Sequence, residues 1–392
     1  MNRRQFLSSA LALTPRQRHD PRQLHEKMFV FDAHLHVINR QFYRGGDIGQ
    51  RVEDGHFDLV RAKEGGLDAL FFTLFITEDY YPGHYETKQA LRLIDLAYRQ
   101  VEKNSRTIGI ARNAAEIQAL RKQGRLAAVL DLEGGFDMDG DLGVLRALHQ
   151  LGVRSIQLPA HNFANNFADS CCAITRFNGL TAHGCAVVAE CNRLGIVINI
   201  AHASTETAEQ AIAASEQPVV STHDGLRSRN NIPRLMTEAT LEKLARKGGL
   251  IGFHIGNEFH NRALFDYRTR KAGKPFWDRS DVKKDRAEMT LAEVDQLVGR
   301  GFSMTGIQAP EELKYTTDQW FEVVERATAI AGEDHVMLGT DFDGGPTLPR
   351  GMRDCRDYPM LTEAMLRRGW KTGRIEKFLG GNLLRVFGRI AT

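Results

Sequence analysis

Short apolar runs alternate along the chain with longer stretches whose apolar residues recur at helical spacing. The runs 28–33, 67–75, 125–132, 153–158, 196–201, 217–222, 249–254 and 335–340 are rich in Val, Ile, Leu and Phe. Continuous apolar runs of this length suit strands buried on both faces. Between most of them lie segments with apolar residues at three- and four-residue steps: 86–103, 113–123, 141–151, 180–194, 205–215 and 238–247. That spacing predicts helices with one buried face. Eight strands alternating with helices predict an α/β chain whose parallel sheet closes on itself, a (β/α)8 TIM barrel, in preference to an open sheet. Residues 255–316 do not fit a minimal barrel. They separate the seventh and eighth strands, are polar and aromatic, and include Phe276-Trp277-Asp278. A connection that long is expected as an insertion over the barrel mouth.

Composition narrows the picture without changing it. At 392 residues the chain suits one barrel domain with an insertion; the domain is expected over 28–392, behind a tail at 1–27. A charged content of 26% and a net charge of +3 are those of an ordinary globular protein. No basic stripe or arginine-rich tail suggests nucleic acid. No apolar run approaches the roughly 18 residues of a membrane span. Five cysteines, Cys171, Cys172, Cys185, Cys191 and Cys355, form no CxxC pair, which argues against a disulfide framework and leaves room for one bridge. In the tail, Arg3-Arg4-Gln5-Phe6-Leu7 and the apolar stretch to Leu13 resemble a twin-arginine signal, with Ala10-Leu11-Ala12 as a cleavage site. Export to the periplasm is the expectation; a tail with no signal role would leave the chain in the cytoplasm.

The candidate chemistry sits at the C-terminal ends of the predicted strands, where barrels build their sites. Strand one runs into Asp32-Ala33-His34-Leu35-His36 and strand three into Asp131-Leu132-Glu133-Gly134-Gly135. His161 follows strand four, His202 ends strand five, His223 strand six, and Asp341 strand eight. Any one of these has an ordinary explanation: a lone His at a strand end is usually a hydrogen-bonded surface residue, and Asp341 alone could cap a turn. Five or six at one rim are hard to explain separately. His34 and His36, at i and i+2, share a side of the strand and can grip one metal. Imidazole with carboxylate suits zinc, and manganese, iron or cobalt by ligand type. Two metals roughly 3.5–4 Å apart need a shared ligand, and Glu133 is the natural bridge. His34 and His36 would hold one ion, His202 and His223 the other, and the water between them would become the nucleophile. Asp341 is left as the base that passes the proton to the leaving amine. His161 is left to polarise the carbonyl or hold the oxyanion.

Taken in order, these segments resemble the membrane (renal) dipeptidase family of the amidohydrolase superfamily, from about Phe29 to Phe387. The segments are Asp131–Gly135, His161-Asn162 with Ala168-Asp169-Ser170, Gly179-Leu180-Thr181 with Gly184, Ile200–Ser204, Ser221-Thr222-His223, Gly339–Gly344 and Gly381–Val386. The resemblance implies a binuclear zinc barrel that cleaves dipeptides, with D-residues accepted at the C-terminal position by many members and β-lactams opened by some. It implies a homodimer, as the family often forms. It also implies an Arg-Asn pair for the substrate carboxylate, matched here by Arg229-Asn230, with Arg227 as an alternative. Two departures stand out. The family's His-x-Asp is here His34-x-His36, which exchanges an anionic ligand for a neutral one, and the 255–316 insertion is long. Both feed an alternative reading, a related amidohydrolase acting on another amide, a lactone or an acylated amino acid. A barrel that binds metal without catalysis is a third reading, against which the free carboxylate of Asp341 counts.

Overall fold

The computed structural model describes residues 20–76, 85–161, 165–275, 290–301 and 308–392, the side chains of 300 and 301 excepted. The possible signal, Asn162 and Phe276-Trp277-Asp278 lie outside the described residues. Nine strands form one parallel sheet: β1 (Phe31–Leu35), β2 (Ala69–Phe75), β3 (Ile108–Ile110), β4 (Leu126–Glu133), β5 (Val153–Gln157), β6 (Val197–Asn199), β7 (Val220–Asp224), β8 (Leu250–Phe253) and β9 (Val336–Leu338). Eight follow one another as β1-β2-β4-β5-β6-β7-β8-β9, and these are the eight runs expected from the sequence. The short β3 was not foreseen. It pairs with the start of β4, Ile108 opposite Leu126, while β5 pairs further along the same strand, Ile156 opposite Leu132.

The sheet nearly closes. Beyond β9, Phe342 bridges Leu35 in parallel, with His36 N–H donating to Phe342 O (2.9 Å) and Asp341 N–H to His34 O (2.9 Å). The buried Asp32 carboxylate stitches the same seam. Its oxygens accept from Thr340 N–H (2.9 Å), Thr340 Oγ1–H (2.6 Å) and Tyr358 O–H (2.6 Å).

Strand residues sort into two packed layers by alternation. Ala69 and Phe71 of β2, with Ala127 and Val129 of β4, join Phe31, Val220 and Leu250 in one cluster. It fills the barrel's lower end, where the helix Asn382–Ile390 adds Leu383, Val386 and Phe387. Leu70, Phe72, Ala128 and Leu130 face the other way, into the large cluster beneath the surrounding helices. The predicted helices appear as Tyr85–Lys103, Ala114–Lys122, Leu142–Gln150, Ala182–Leu194, Thr205–Ala214 and Glu238–Arg246. The last five start at Asn113, Asp141, Thr181, Ser204 and Thr237, whose side chains each accept a first-turn N–H. Within 255–316 the helices Asn257–His260, Arg262–Ala272 and Leu291–Gly301 are described. Packed structure is also present before residue 28. The helix Pro21–His25 packs with Leu24 and His25 buried, and the His25 ring bonds Thr362 Oγ1 and Gly65 O.

One contact makes a stability prediction. A Cβ on Gly380 would lie 2.7 Å from both Phe29 O and Phe31 N, backbone atoms that cannot step aside. Gly380→Ala should therefore cost about 1–3 kcal/mol by overpacking, read from urea denaturation. Gly373→Ala, where nothing lies within 4 Å, should be neutral or slightly stabilising. Equal effects of the two would contradict the close approach.

Candidate active site

Irregularities in the sheet aim the polar side chains. Between Asp32 and Leu35, β1 advances three residues while β2 advances two, from Leu70 to Phe72. The extra residue reverses the alternation. Phe31 and Ala33 thus belong to the inner cluster, yet Leu35 packs outward, leaving His34 and His36 turned into the mouth. A like shift stands between Ser221 and Asp224 against Ile251 and Phe253, beside His223. His202 and Asp341 sit in left-handed backbone, φ +62° and +61°, uncommon for residues other than glycine and concentrated at functional positions. The His202 carbonyl is held by the Cys171 N–H (2.7 Å) and the His161 carbonyl by Ser170 Oγ–H (2.8 Å). That loop is braced twice. Asp169 accepts from the N–H groups of Arg176, Phe177 and Gly179, and Cys171 and Cys172 form a disulfide between neighbours.

The result is one carboxylate between two groups of imidazoles. Glu133 Oε2 lies 3.0 Å from His34 Nε2 and 3.1 Å from His36 Nε2, which are themselves 3.1 Å apart. Glu133 Oε1 lies 3.2 Å from His202 Nε2 and 3.5 Å from His223 Nε2, again 3.1 Å apart. His161 Nε2 comes within 3.8 Å of that same oxygen. All but His161 are buried. Asp341 stands beside the first group, Oδ1 2.8 Å from His36 Nε2.

These distances fit metals. Two ligands about 2.05 Å from a tetrahedral zinc are about 3.3 Å apart, close to the edge of each triangle. Without a cation, a proton on one Nε2 serves one neighbour and leaves the remaining lone pairs opposed. The outer nitrogens are partly provided for: His34 Nδ1 lies 3.3 Å from Thr73 Oγ1 and Thr222 Oγ1, and His223 Nδ1 3.0 Å from Thr222 Oγ1. Such partners orient metal-ligating histidines. Among the described residues, none hydrogen-bonds the Nδ1 atoms of His36 and His202.

The electrostatics follow from this crowding. Burial opposes charge on Glu133, but the His34 and His36 imidazoles, with hydrogen bonds from His202 and His34, hold its carboxyl well below the usual range. Burial likewise opposes charge on Asp341, and His36 and His254 outweigh it, again holding the group well below its usual value. Burial pushes His202 and His223 well below the ordinary imidazole value, helped by Arg234. Burial pulls His34 down too, but Glu133 and Asp131 prevail and raise it to about 10.

The structure brings His34, His36, Glu133, His161, His202, His223 and Asp341 together as the sequence suggests. Neither Arg229 nor Asn230 is among the described partners of Glu133 or Asp341. Arg229 is exposed, and the Asn230 amide donates to the carbonyls of Glu258 and Phe259. Arg227 is engaged by the carbonyls of Leu235 and Pro233. Two unforeseen residues border the site. Arg234, fully buried, donates to His223 O (2.6 Å). His254 reaches Asp341 Oδ2 at 2.7 Å. The signal for His254 was available: like the others, it is a polar residue closing an apolar run.

A family model described as membrane dipeptidase, peptidase family M19, matches residues 18–392. Dipeptidase verJ of Clonostachys rogersoniana is 25% identical over 352 residues, spanning 87% of this chain and 77% of that protein. An uncharacterized dipeptidase, C965.12, of Schizosaccharomyces pombe is 29% identical over 345 residues, spanning 85% and 71%. The fold is shared with the probable dipeptidase PvdM from Pseudomonas aeruginosa, TM-score 0.75 at 21% identity, covering 95% of this chain and 97% of that one. It is shared too with a metallopeptidase from Rhodobacter sphaeroides liganded with a phosphinate mimic of L-Ala-D-Ala, TM-score 0.71 at 22% identity, covering 93% and 99%.

The two triangles lead to a direct test of His36. His36→Ala should lower the metal content of the purified chain, measured by elemental analysis. Unchanged stoichiometry would remove His36 from the donor set.

Proposed function

The chain belongs to the membrane dipeptidase family, a family of metallo-dipeptidases, and from that premise we propose that it hydrolyses dipeptides at a two-zinc centre bridged by Glu133. The observation that carries this reading is the division of one buried carboxylate between two imidazole groups, with a second carboxylate, Asp341, beside them. Two zinc ions, one held by His34, His36 and Glu133 and the other by His202, His223 and Glu133, would supply Lewis acidity and a water nucleophilic at neutral pH.

The chain's own residues do the rest. As water oxygen bonds to the scissile carbonyl carbon, Asp341 takes one of the water's protons. It then delivers that proton to the amide nitrogen as the C–N bond breaks, giving an amine and a carboxylic acid, whose remaining acid proton passes to the amine so that they part as ammonium and carboxylate. His36 and His254 hold Asp341 in its ionised form, the only form that can accept a proton. His161 is the one imidazole of the cluster that is appreciably exposed, 22% for its side chain. It stands against His202 at 3.9 Å and edge-on to Phe75 at 4.8 Å between ring centroids. From there its N–H meets the carbonyl oxygen as negative charge develops. The Rhodobacter neighbour was liganded with a mimic of L-Ala-D-Ala, so dipeptides ending in a D-residue belong in the first panel.

Free amino acids should be released from L,L or L,D dipeptides by the zinc-loaded chain, vanish on chelation and return with zinc. Metal binding without turnover on any member would redirect the reading to other amides, lactones or acylated amino acids. Asp341→Asn should keep its metal and lose roughly 100-fold or more in kcat. Normal turnover in that variant would mean that the base lies elsewhere.

A further inference from the structure

His254 follows β8 directly and is buried, 2% exposed. Its two ring nitrogens face different partners. Nδ1 accepts the Gly256 N–H at 2.6 Å, and Nε2 lies 2.7 Å from Asp341 Oδ2. A nitrogen that accepts carries no proton, so in the neutral ring the hydrogen must be on Nε2, directed at the carboxylate. The backbone thereby dictates the tautomer.

The residue has little freedom to do otherwise. Its N–H donates to Asp224 O (3.0 Å), and its carbonyl accepts from the Trp320 indole (2.9 Å) and from His260 Nε2 (2.7 Å). Phe259 lies against the ring, centroids 4.1 Å apart. The two oxygens of Asp341 are unequal as a result. Oδ2 is taken by His254. Oδ1 is buried and lies 2.8 Å from His36 Nε2, the nitrogen that in the proposed centre would bind metal and so would carry no proton to give it. Gly344 keeps the space beside Oδ1 open; a Cβ there would lie 2.1 Å from it.

We infer that His254 is a positioning residue: it grips Asp341 by Oδ2 and so selects Oδ1 as the oxygen that receives and returns the proton. A carboxylate free to turn about its last bond would present either oxygen in varying directions. A charge-assisted hydrogen bond from a rigid ring removes that freedom, and small misplacements of reacting groups carry large rate penalties. The inference rests on the reading of Asp341 as the base.

Two substitutions separate the ring's two bonds. In His254→Asn the amide oxygen replaces Nδ1 and keeps the Gly256 N–H satisfied, but nothing reaches Asp341. In His254→Gln the amide nitrogen replaces Nε2 and still donates to Oδ2, while the Gly256 bond is lost. The expected result is a roughly 10- to 100-fold loss of kcat in His254→Asn, with KM and metal content little changed, and near-normal kcat in His254→Gln. A merely structural role predicts the reverse order, with His254→Gln the damaged variant by thermal melting and by activity, and would overturn the proposal. The Asp341→Asn background completes the test. There, His254→Asn should cause no further loss, because the two act as a unit; an undiminished loss would show that His254 acts elsewhere. Normal turnover of Asp341→Asn alone would instead defeat the assignment of the base, a distinguishable failure.

Discussion

The buried carboxylate of Asp32 joins the first strand of the barrel to the last, and the site depends on that joint. Backbone pairing across the seam is sparse. Asp32 compensates with three donors from Thr340 and Tyr358 and one from His34 N–H. Burial alone would favour the neutral acid and raises the group's pKa; the hydrogen bonds from Thr340 and Tyr358 oppose that rise. Because the seam is shut there, His34 and His36 on one side meet Asp341 on the other. Opening it would separate the donors of the first triangle from the base without altering any of them.

Above the seam the constraint is charge. Glu133 is nearly inaccessible, and an isolated carboxylate in such a place would take up a proton. It remains ionised because imidazoles surround both oxygens. The second group responds oppositely: His202 and His223 are kept neutral by burial and by the nearby Arg234, the form in which imidazole binds metals. The first group draws its negative charge from Glu133, Asp131 and Asp341. The division of roles within one pocket therefore follows from where the fixed charges lie.

Much of this was legible in the sequence because the strands are continuous apolar runs ending in polar residues. Alternation of strand and helix gave the barrel, and the strand ends gave its donors. The Ile108–Ile110 strand has only three residues and no run to announce it. Side-chain direction was harder. The common side of His34 and His36 follows from i and i+2, but that this side faces inward depends on an extra residue in β1 that only pairing with β2 reveals. Order along the chain suggested Arg229 and Asn230 as a substrate pair; the fold places the arginine at the surface and buries Asn230, and it also buries Arg234, which sequence order did not single out. The helix Thr317–Ala331, which opens at a capping box of Thr316 and Gln319, was not among the expected helices. The bond between Cys171 and Cys172 had no signal beyond adjacency.

The seam also has a consequence for assembly in time. Asp32 and Thr340 are 308 residues apart, so their contact is among the least local the chain makes, and closing so large a loop comes at an entropic cost that nearby contacts must first offset. While the chain emerges from the ribosome, the first pair of imidazoles and the shared glutamate are available long before Asp341. A partly synthesised chain can thus display the imidazoles and carboxylate proposed to bind metal without yet owning the carboxylate proposed as the base. Under the proposed mechanism hydrolytic competence is acquired last, when the barrel closes, and no fragment that stops short of Asp341 inherits it.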